Sequence, residues 1–168
     1  PATTVEANGY AGAGGPPGVE DMSGIGRRRG PGSTARVPGN AGTATGGVST
    51  ISIRDGNGTA GSASLGSTIL DASAYNSAGT AEAPGGIAGR TVFEDLASGE
   101  VQLADLTVDL FGAASPDGPA FQFTSSNQPV LVTDFVRIDT QGDIRFEGRN
   151  SGGLDAGGAV TADTPGTI

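Results

Sequence analysis

The 168-residue sequence contains no cysteine, histidine, lysine or tryptophan. Without cysteine and histidine, the chain by itself cannot build a zinc finger, an iron–sulfur cluster, a thiol nucleophile or a Ser-His-Asp triad. Without lysine it has no Schiff-base amine and no phosphate-binding Walker lysine. Acid–base chemistry is left to carboxylates and to Tyr10 and Tyr75. The composition therefore predicts that the protein is not an enzyme and needs no cofactor.

Basic residues are few, since nine arginines stand against 18 acidic residues and the formal net charge is −9. Nucleic acids and anionic membranes are both bound largely through basic side chains. Hydrophobic runs are also short, because no stretch of about 18 apolar residues is present to cross a bilayer. We therefore expect no nucleic-acid partner and no membrane insertion.

Large apolar residues are scarce at the start of the chain, while 31 glycines and 10 prolines weaken helix and strand interiors throughout. Residues 1–45 hold only four of the 33 Ile, Leu, Val and Phe residues, too few for a core. We predict an extended or flexible Gly/Pro-rich arm over residues 1–45. The alternative is an exchange arm that lies on a neighbouring subunit.

From residue 46 onward, short stretches place apolar residues at every second position. Such alternation is typical of half-buried strands. Glycine-rich turns separate nine predicted strands, and no helix is expected: 48–53, 67–71, 90–93, 100–103, 106–110, 121–123, 130–132, 135–138 and 144–146. Residues 46–168 are thus predicted to be a repetitive all-β domain, which we interpret as a fragment or repeat unit of a longer protein.

The strands recur in a repeat that ends with an aliphatic residue followed by aspartate. Residues 65–71, 103–109 and 133–139 align without gaps, at intervals of 38 and 30 residues. If these segments stack, Asp71, Asp109 and Asp139 form a column with a spacing of about 5 Å. Regular short strands of this kind fit a solenoid, a barrel, or an antiparallel β-sandwich or jelly roll.

The segment GSASLGSTILDASAY at 61–75, followed by a Gly/Ala/Ser-rich spacer to the glycines at 85–86, resembles the repeat unit of large bacterial surface adhesins of the filamentous haemagglutinin type. Residues 99–109 and 141–153 are similar in style. In those adhesins, a leucine or valine strand leads into an Asp-Ala-Ser-Ala-like strand and a Gly-Gly-rich turn. The resemblance implies a right-handed parallel β-helix, export and adhesion or matrix building, and it implies no catalytic residue.

Self-association is expected through the tail of the chain. Residues 120–168 alternate well enough to supply an edge strand, and open strand edges recruit further strands. The apolar residues that we predict to support this contact are Val130, Val132, Val136, Ile138, Ile144 and Phe146.

Calcium is the one cofactor left open. The sequence Asp-Gly-Asn-Gly at 55–58 resembles half of an oxygen-ligand calcium loop, with Asp55 and Asn57 as candidate ligands, but it lacks the closing glutamate. The backbone needs of a turn explain the same four residues.

A polysaccharide-active β-helix hydrolase or lyase is the enzymatic alternative. Such enzymes use clustered carboxylates, and the nearest cluster in the sequence is Asp134, Asp139 and Asp143, with Arg137 and Arg145 close by. Carboxylates at strand ends and turns account for the same residues. The scarcity of aromatic residues speaks against a sugar-binding platform.

Architecture rather than chemistry is the function that this sequence favours. We expect a secreted or cell-surface structural and adhesive protein that presents surface for cell or matrix attachment and self-associates into fibres or assemblies. Its expected partners are copies of itself or the rest of a longer parent chain, with host or matrix glycans as candidate ligands. A shell or filament subunit with an exchange arm is a further alternative.

Overall fold

The structure, a computed structural model, describes residues 2–6 and 9–10 by their backbone, and residues 44–75, 85–164 and 168 in full. These residues form thirteen strands and no helix. In chain order the strands are β1 Ala2–Glu6, β2 Gly9–Tyr10, β3 Val48–Ile53, β4 Ala63–Asp71, β5 Ala74–Tyr75, β6 Arg90–Asp95, β7 Val101–Leu110, β8 Phe121–Ser126, β9 Pro129–Val132, β10 Val136–Thr140, β11 Ile144–Arg149, β12 Gly153–Ala156 and β13 Val160–Asp163.

Every pairing between these strands is parallel. One sheet has the order β1-β4-β7-β10-β13, with β9 paired to the first part of β7 and β12 paired to β9. The second sheet has the order β3-β6-β8-β11, and β2 pairs with β5. The predicted all-β class is confirmed. The antiparallel sandwich or jelly roll is wrong for these sheets, because their strands all run in the same direction.

The repeat seen in the sequence is the pairing register of the first sheet. Asp71 lies opposite Asp109, an offset of 38 residues, and Asp109 lies opposite Asp139, an offset of 30. One further strand continues the series, since Asp139 lies opposite Asp163. The predicted alignment is therefore confirmed, and the interval shortens again, to 24 residues, at its last step.

Alternating residues of the strands face a common core. Leu106, Val108 and Leu110 of β7 are almost fully buried, whereas the residues between them are half-buried, as their parity predicts. Phe93 on β6 lies opposite Phe123 on β8, and their rings stack with centroids 5.5 Å apart. The core thus lies between the two large sheets and is built from the same alternation that the sequence displays.

Strand β7 joins two predicted strands, 100–103 and 106–110, into one. Its buried positions change from odd to even numbers between Leu103 and Leu106. The change occurs where β7 passes from pairing with β9 to pairing with β10. A single long strand can therefore contribute to two neighbouring strand ladders.

Five strands were not predicted: β1, β2, β5, β12 and β13. They are short and contain few large apolar residues, so the alternation signal is weak in each of them. Strands β1 and β2 lie inside the predicted arm and pair with β4 and β5. The remainder of the predicted arm up to residue 43 lies outside the described residues.

Glycine makes close backbone packing possible beside β6. The amide of Gly89 donates a hydrogen bond to the carbonyl oxygen of Ala72 at 2.7 Å. A Cβ atom on Gly89 would lie 1.8 Å from the carbonyl oxygen of Gly47. A larger residue is excluded there by hard contact, so this glycine punctuates the strands for a steric reason.

Candidate functional site: the two edges of the sheets

The strand orders give the molecule two distinct edges. We call β3, the first part of β4 and β1 the early edge, and β11, β12 and β13 the late edge. Along each ladder, chain order runs from the early edge to the late edge. The edges carry strand backbone of the same direction, because all pairings are parallel.

Columns of apolar side chains run through the core from one edge to the other. One column consists of Ile51, Phe93, Phe123 and Phe146 on successive strands of the second sheet. The two inner phenylalanines are buried, whereas Phe146 on the late edge is 39% exposed. The column therefore continues to the last strand and ends there with an uncovered aromatic ring.

The partly buried apolar residues that pack against the core all lie on edge strands. They are Ile51, Ile53, Ala63, Leu65, Leu154 and Ala156. The first four belong to the early edge and the last two to the late edge. Core packing is thus complete in the middle of the stack and incomplete at both ends.

The late edge also holds an apolar groove of about 310 Å³ between β11, β12 and β13. Phe146, Leu154 and Val160 line it, together with the buried Phe123. Val160 lies in register with the fully buried Val136, yet it is 54% exposed. An inward-facing position is therefore uncovered, which makes this edge the most apolar candidate contact surface in the described part of the chain.

The residues predicted to support self-association fall into two groups. Val130, Val132, Val136, Ile138 and Ile144 are at most 3% exposed, and their side chains pack inside the chain's own core. Phe146 alone of the six reaches the surface. A contribution of this tail to self-association stays a prediction, and Phe146 is the side chain placed to make a direct contact.

Acidic residues occupy one register column of the first sheet from end to end. The column contains Glu6, Asp71, Asp109, Asp139 and Asp163. The predicted stacking of its three middle members is confirmed. Sequence comparison did not include Glu6 or Asp163, because neither follows the aliphatic-plus-aspartate pattern within a strongly apolar strand.

Asp71 is the best-satisfied carboxylate of this column. Its Oδ1 accepts hydrogen bonds from the amide of Ser73 at 2.9 Å and from the Ser73 hydroxyl at 2.5 Å. Its Oδ2 accepts a hydrogen bond from the Tyr75 hydroxyl at 2.9 Å. Burial, followed by the bond to Asp71, raises the pKa of Tyr75 to about 12. The phenol therefore stays protonated as a donor at neutral pH.

Asp109 has a different environment, although it lies directly opposite Asp71. Its Oδ1 is buried and has no hydrogen-bond partner. Burial raises the pKa of Asp109, the charges of Asp139 and Asp71 raise it further, and Arg137 opposes the shift. This face of β7 is thus more enclosed than the simple solvent face expected from alternation.

Asp55, a candidate calcium ligand, closes the long turn between β3 and β4. Its Oδ1 accepts hydrogen bonds from the amides of Gly61 at 2.8 Å and Ser98 at 2.7 Å, and its Oδ2 accepts one from the Ser98 hydroxyl. These bonds, the Ser98 hydroxyl first, lower the pKa of Asp55. Asn57 has φ of +34° and Gly58 has φ of +81°. The structure therefore gives all four residues a turn role.

The aspartates of the enzymatic alternative occupy separate places along the chain path. Asp134 precedes β10, Asp139 lies within β10 and forms a 3.6 Å ion pair with Arg137, and Asp143 precedes β11. Asp143 and Arg145 line a shallow groove of about 430 Å³. No set of three or more acidic residues within 44–75 and 85–164 is arranged to hold a metal ion.

Two charged groups were not singled out by sequence reasoning. Asp95 is 1% exposed in an inward column, where it accepts a hydrogen bond from the amide of Ala97 at 3.0 Å. Arg54 and Glu94 form a 2.6 Å ion pair on the outer face between β3 and β6. Their sequence separation of 40 residues gives no local signal, so only the strand register brings them together.

Comparisons with protein families, with curated proteins and with solved structures find no significant match to this chain. Within the described residues, no helix has the length and apolar character needed to cross a membrane. The candidate function therefore rests on the edges and columns themselves.

Proposed function

We propose that the chain is a segment of right-handed parallel β-helix with a structural and adhesive role outside the cell. It presents surface for attachment to cells or matrix and self-associates through its strand edges. The uncovered apolar columns at both edges are the observation on which this proposal depends.

The β-helix part of the proposal is supported by the order of the strands. In both large sheets, later strands add to earlier ones in chain order, at offsets that shorten from about 40 to about 24 residues. A chain that revisits the same ladders in this way winds around a single axis. Right-handed winding is expected because parallel crossover connections are right-handed in almost all proteins.

Self-association is supported by incomplete burial at the edges. An apolar side chain left half-exposed loses a stabilisation of about 25 cal/mol per Å² of uncovered surface. Unpaired backbone groups of an edge strand add a directional tendency to recruit another strand. Copies that stack edge to edge satisfy both needs, which favours fibres or assemblies over an isolated subunit.

An extracellular role is supported by the acidic, cysteine-free composition and by the resemblance of residues 61–75 to adhesin repeats. The outward positions of the strands are rich in short polar groups such as Ser52, Thr107 and Thr161. Hydroxyl and carboxylate groups of this kind hydrogen-bond to polar surfaces, so host or matrix glycans are the ligands that we propose.

The self-association proposal is tested by a matched pair of substitutions, Phe146→Ser and Phe111→Ser. Both phenylalanines are 39% exposed, but only Phe146 ends an apolar column at an edge. We expect light scattering over a concentration series to show association of the wild type. Phe146→Ser should weaken it by about ten-fold or more, equivalent to about 1.4 kcal/mol. Equal effects of the two substitutions, or a wild type that stays monomeric at high concentration, would contradict the proposal.

Attachment and catalysis are separated by a second experiment. Beads that carry the chain are applied to immobilised acidic and neutral polysaccharides, and both retention and release of sugar fragments are measured. Retention without fragment release is expected. Fragment release that disappears in Asp139→Asn or Asp143→Asn would instead favour the hydrolase or lyase alternative.

A further inference from the structure

Strand β1 covers only part of the early edge. It pairs with β4 over residues 67–71, and its closest described neighbours in sequence, β2 and β3, belong to other sheets. Among the described residues, no strand covers the outer side of β3 or of β4 at residues 63–65. The acidic end of β4 is thus paired, while the rest of the same edge is open.

The residues of β1 match those of the late-edge strand β13, column by column. Thr3, Thr4, Val5 and Glu6 share register columns with Val160, Thr161, Ala162 and Asp163, respectively. Each pair keeps the character of its position: β-branched, threonine, small or medium aliphatic, and acidic. Strand β1 therefore occupies the place on β4 that a copy of β13 would occupy if the columns continued into a second molecule.

The remaining columns also continue well from a late edge to an early edge. Extending the register places Leu154 of a second copy on Ala63, and Ala156 of that copy on Leu65. Large side chains then meet small ones in both columns, which suits close packing. These residues are among the partly buried apolar residues at the edges, and each would gain a neighbour.

Charge on the outer face is compatible with the same arrangement. Ser52, Glu94 and Glu147 belong to one register column, and Arg54 pairs with Glu94 at 2.6 Å. Continuing this column places Glu147 of a second copy on Ser52, beside Arg54. The guanidinium, whose side chain is 63% exposed, would then lie between two carboxylates.

We infer that β1 is an internal substitute for the β13 strand of a second copy, and that its displacement opens the early edge to head-to-tail stacking. The inference rests on the proposed self-association and adds its geometry and its control. Because β1 and the incoming β13 need the same edge of β4, only one of them can pair there at a time. Strand β1 therefore acts as an intramolecular cap on assembly.

A reversible covalent lock tests the capping role in the full chain. Thr4 and Ile69 are direct register partners, so Thr4→Cys combined with Ile69→Cys places two cysteines within disulfide range across neighbouring strands. The chain has no other cysteine. We expect the oxidised variant to associate about ten-fold or more weakly than its reduced form in light scattering. Reduction restores the free strand, so a folding defect cannot imitate this result.

A second double variant tests the head-to-tail geometry. Ile69→Cys with Thr161→Cys joins residues that share a column but lie three strands apart in one molecule, about 14 Å, too far for an internal disulfide. In the stacked arrangement they become neighbours across the contact. We expect covalent multimers on mild oxidation. The control, Thr107→Cys with Thr161→Cys, shifts one cysteine by a strand and should form none above background.

The outcomes separate the inference from the proposed function. If the wild type associates but the lock has no effect, or if the test and control pairs link equally, β1 is not the cap and the inference is overturned while self-association stands. If neither the wild type nor Thr4→Pro combined with Val5→Pro, which removes ladder donors from β1, shows any association, self-association itself fails.

Discussion

Asp71 and Asp109 lie opposite each other on neighbouring parallel strands, yet one carboxylate accepts three hydrogen bonds while the other has a buried oxygen with none. The difference arises after β4, where the chain supplies Ser73 and Tyr75 to Asp71. The equivalent positions after Asp109 are Phe111 and Ala113, which bring no side-chain donor. Two residues with the same place in the repeat thus have opposite energetic roles.

Substitution of these two aspartates is expected to have opposite effects. Asp109→Asn removes a poorly solvated charge next to Asp71 and Asp139, so it should stabilise the fold at neutral pH by less than about 1 kcal/mol after solvent screening. Asp71→Asn loses acceptors that face the donors of Ser73 and Tyr75, and should destabilise by about 1–2 kcal/mol. Urea unfolding of both variants measures the difference. Stabilisation by both, or by neither, would contradict the assigned roles.

The pH dependence of the Asp109 effect follows from the direction of its pKa shift. Since burial raises the pKa of Asp109 above the ordinary 3.8, its contribution to stability is present below that value and is lost as pH rises through the raised pKa. The advantage of Asp109→Asn over the wild type should therefore shrink as the pH falls toward 3.8. Urea midpoints measured from neutral to acid pH test this, and an advantage that grows in acid would contradict it.

Tyr75 is expected to titrate late. Its pKa of about 12, raised first by burial and then by its bond to Asp71, means that stability from the neutral phenol is present below 10.0 and is lost as pH rises through 12. In a Tyr10→Phe background, Tyr75 is the only tyrosine, and its near-ultraviolet absorbance reports ionisation directly. Asp71→Asn should lower the midpoint in that background. A midpoint near the ordinary value would show that Tyr75 is neither buried nor bonded as described.

Two glycines provide a matched test of close packing. Gly89→Ala places Cβ 1.8 Å from the Gly47 carbonyl oxygen and should destabilise by about 2–3 kcal/mol or more. Gly153→Ala meets nothing within 4 Å and should be neutral or stabilising by up to about 1 kcal/mol. Thermal unfolding of the two variants gives the comparison. Similar melting temperatures would show that the chain does not pass as closely at Gly89 as described.

The Asp55 turn is expected to weaken in acid. Because its hydrogen bonds lower the pKa of Asp55, the stability that it supplies is present above the ordinary 3.8 and is lost as pH falls through the lowered folded pKa. Asp55→Ala and Ser98→Ala should both reduce resistance to urea at neutral pH, and the Asp55→Ala difference should fade in acid. Calcium should leave the wild-type midpoint unchanged. A rise with calcium that is absent in Asp55→Ala would support the calcium hypothesis instead.

Much of the strand pattern is readable from the sequence for a physical reason. Strands β3, β6, β7 and β8 are covered on one face, so burial selects apolar residues at alternate positions and the pattern is strong. Edge strands such as β12 and β13 are less buried, and their residues are therefore less constrained. The strands that matter most for a contact with another molecule are consequently the ones with the weakest signal.

The candidate contact surface was only partly predictable. The tail was expected to associate through six alternating apolar residues, but alternation does not tell whether a strand lies inside the stack or at its edge. Val136 and Phe146 obey the same parity, yet the first is covered by β13 and the second has no strand beyond it among the described residues. Exposure depends on neighbours that come from distant parts of the chain.

The sequence by itself determined the all-β class, the parity of the core residues and the repeat that brings Asp71, Asp109 and Asp139 into one column. These properties follow from local alternation and from equal residue types at equal places in a repeat. Only the tertiary structure decided that every pairing is parallel, that β1 lies on β4, and that the apolar columns end uncovered at two edges. Pairing direction and edge exposure depend on contacts between residues 24 to 65 positions apart, which no local pattern encodes.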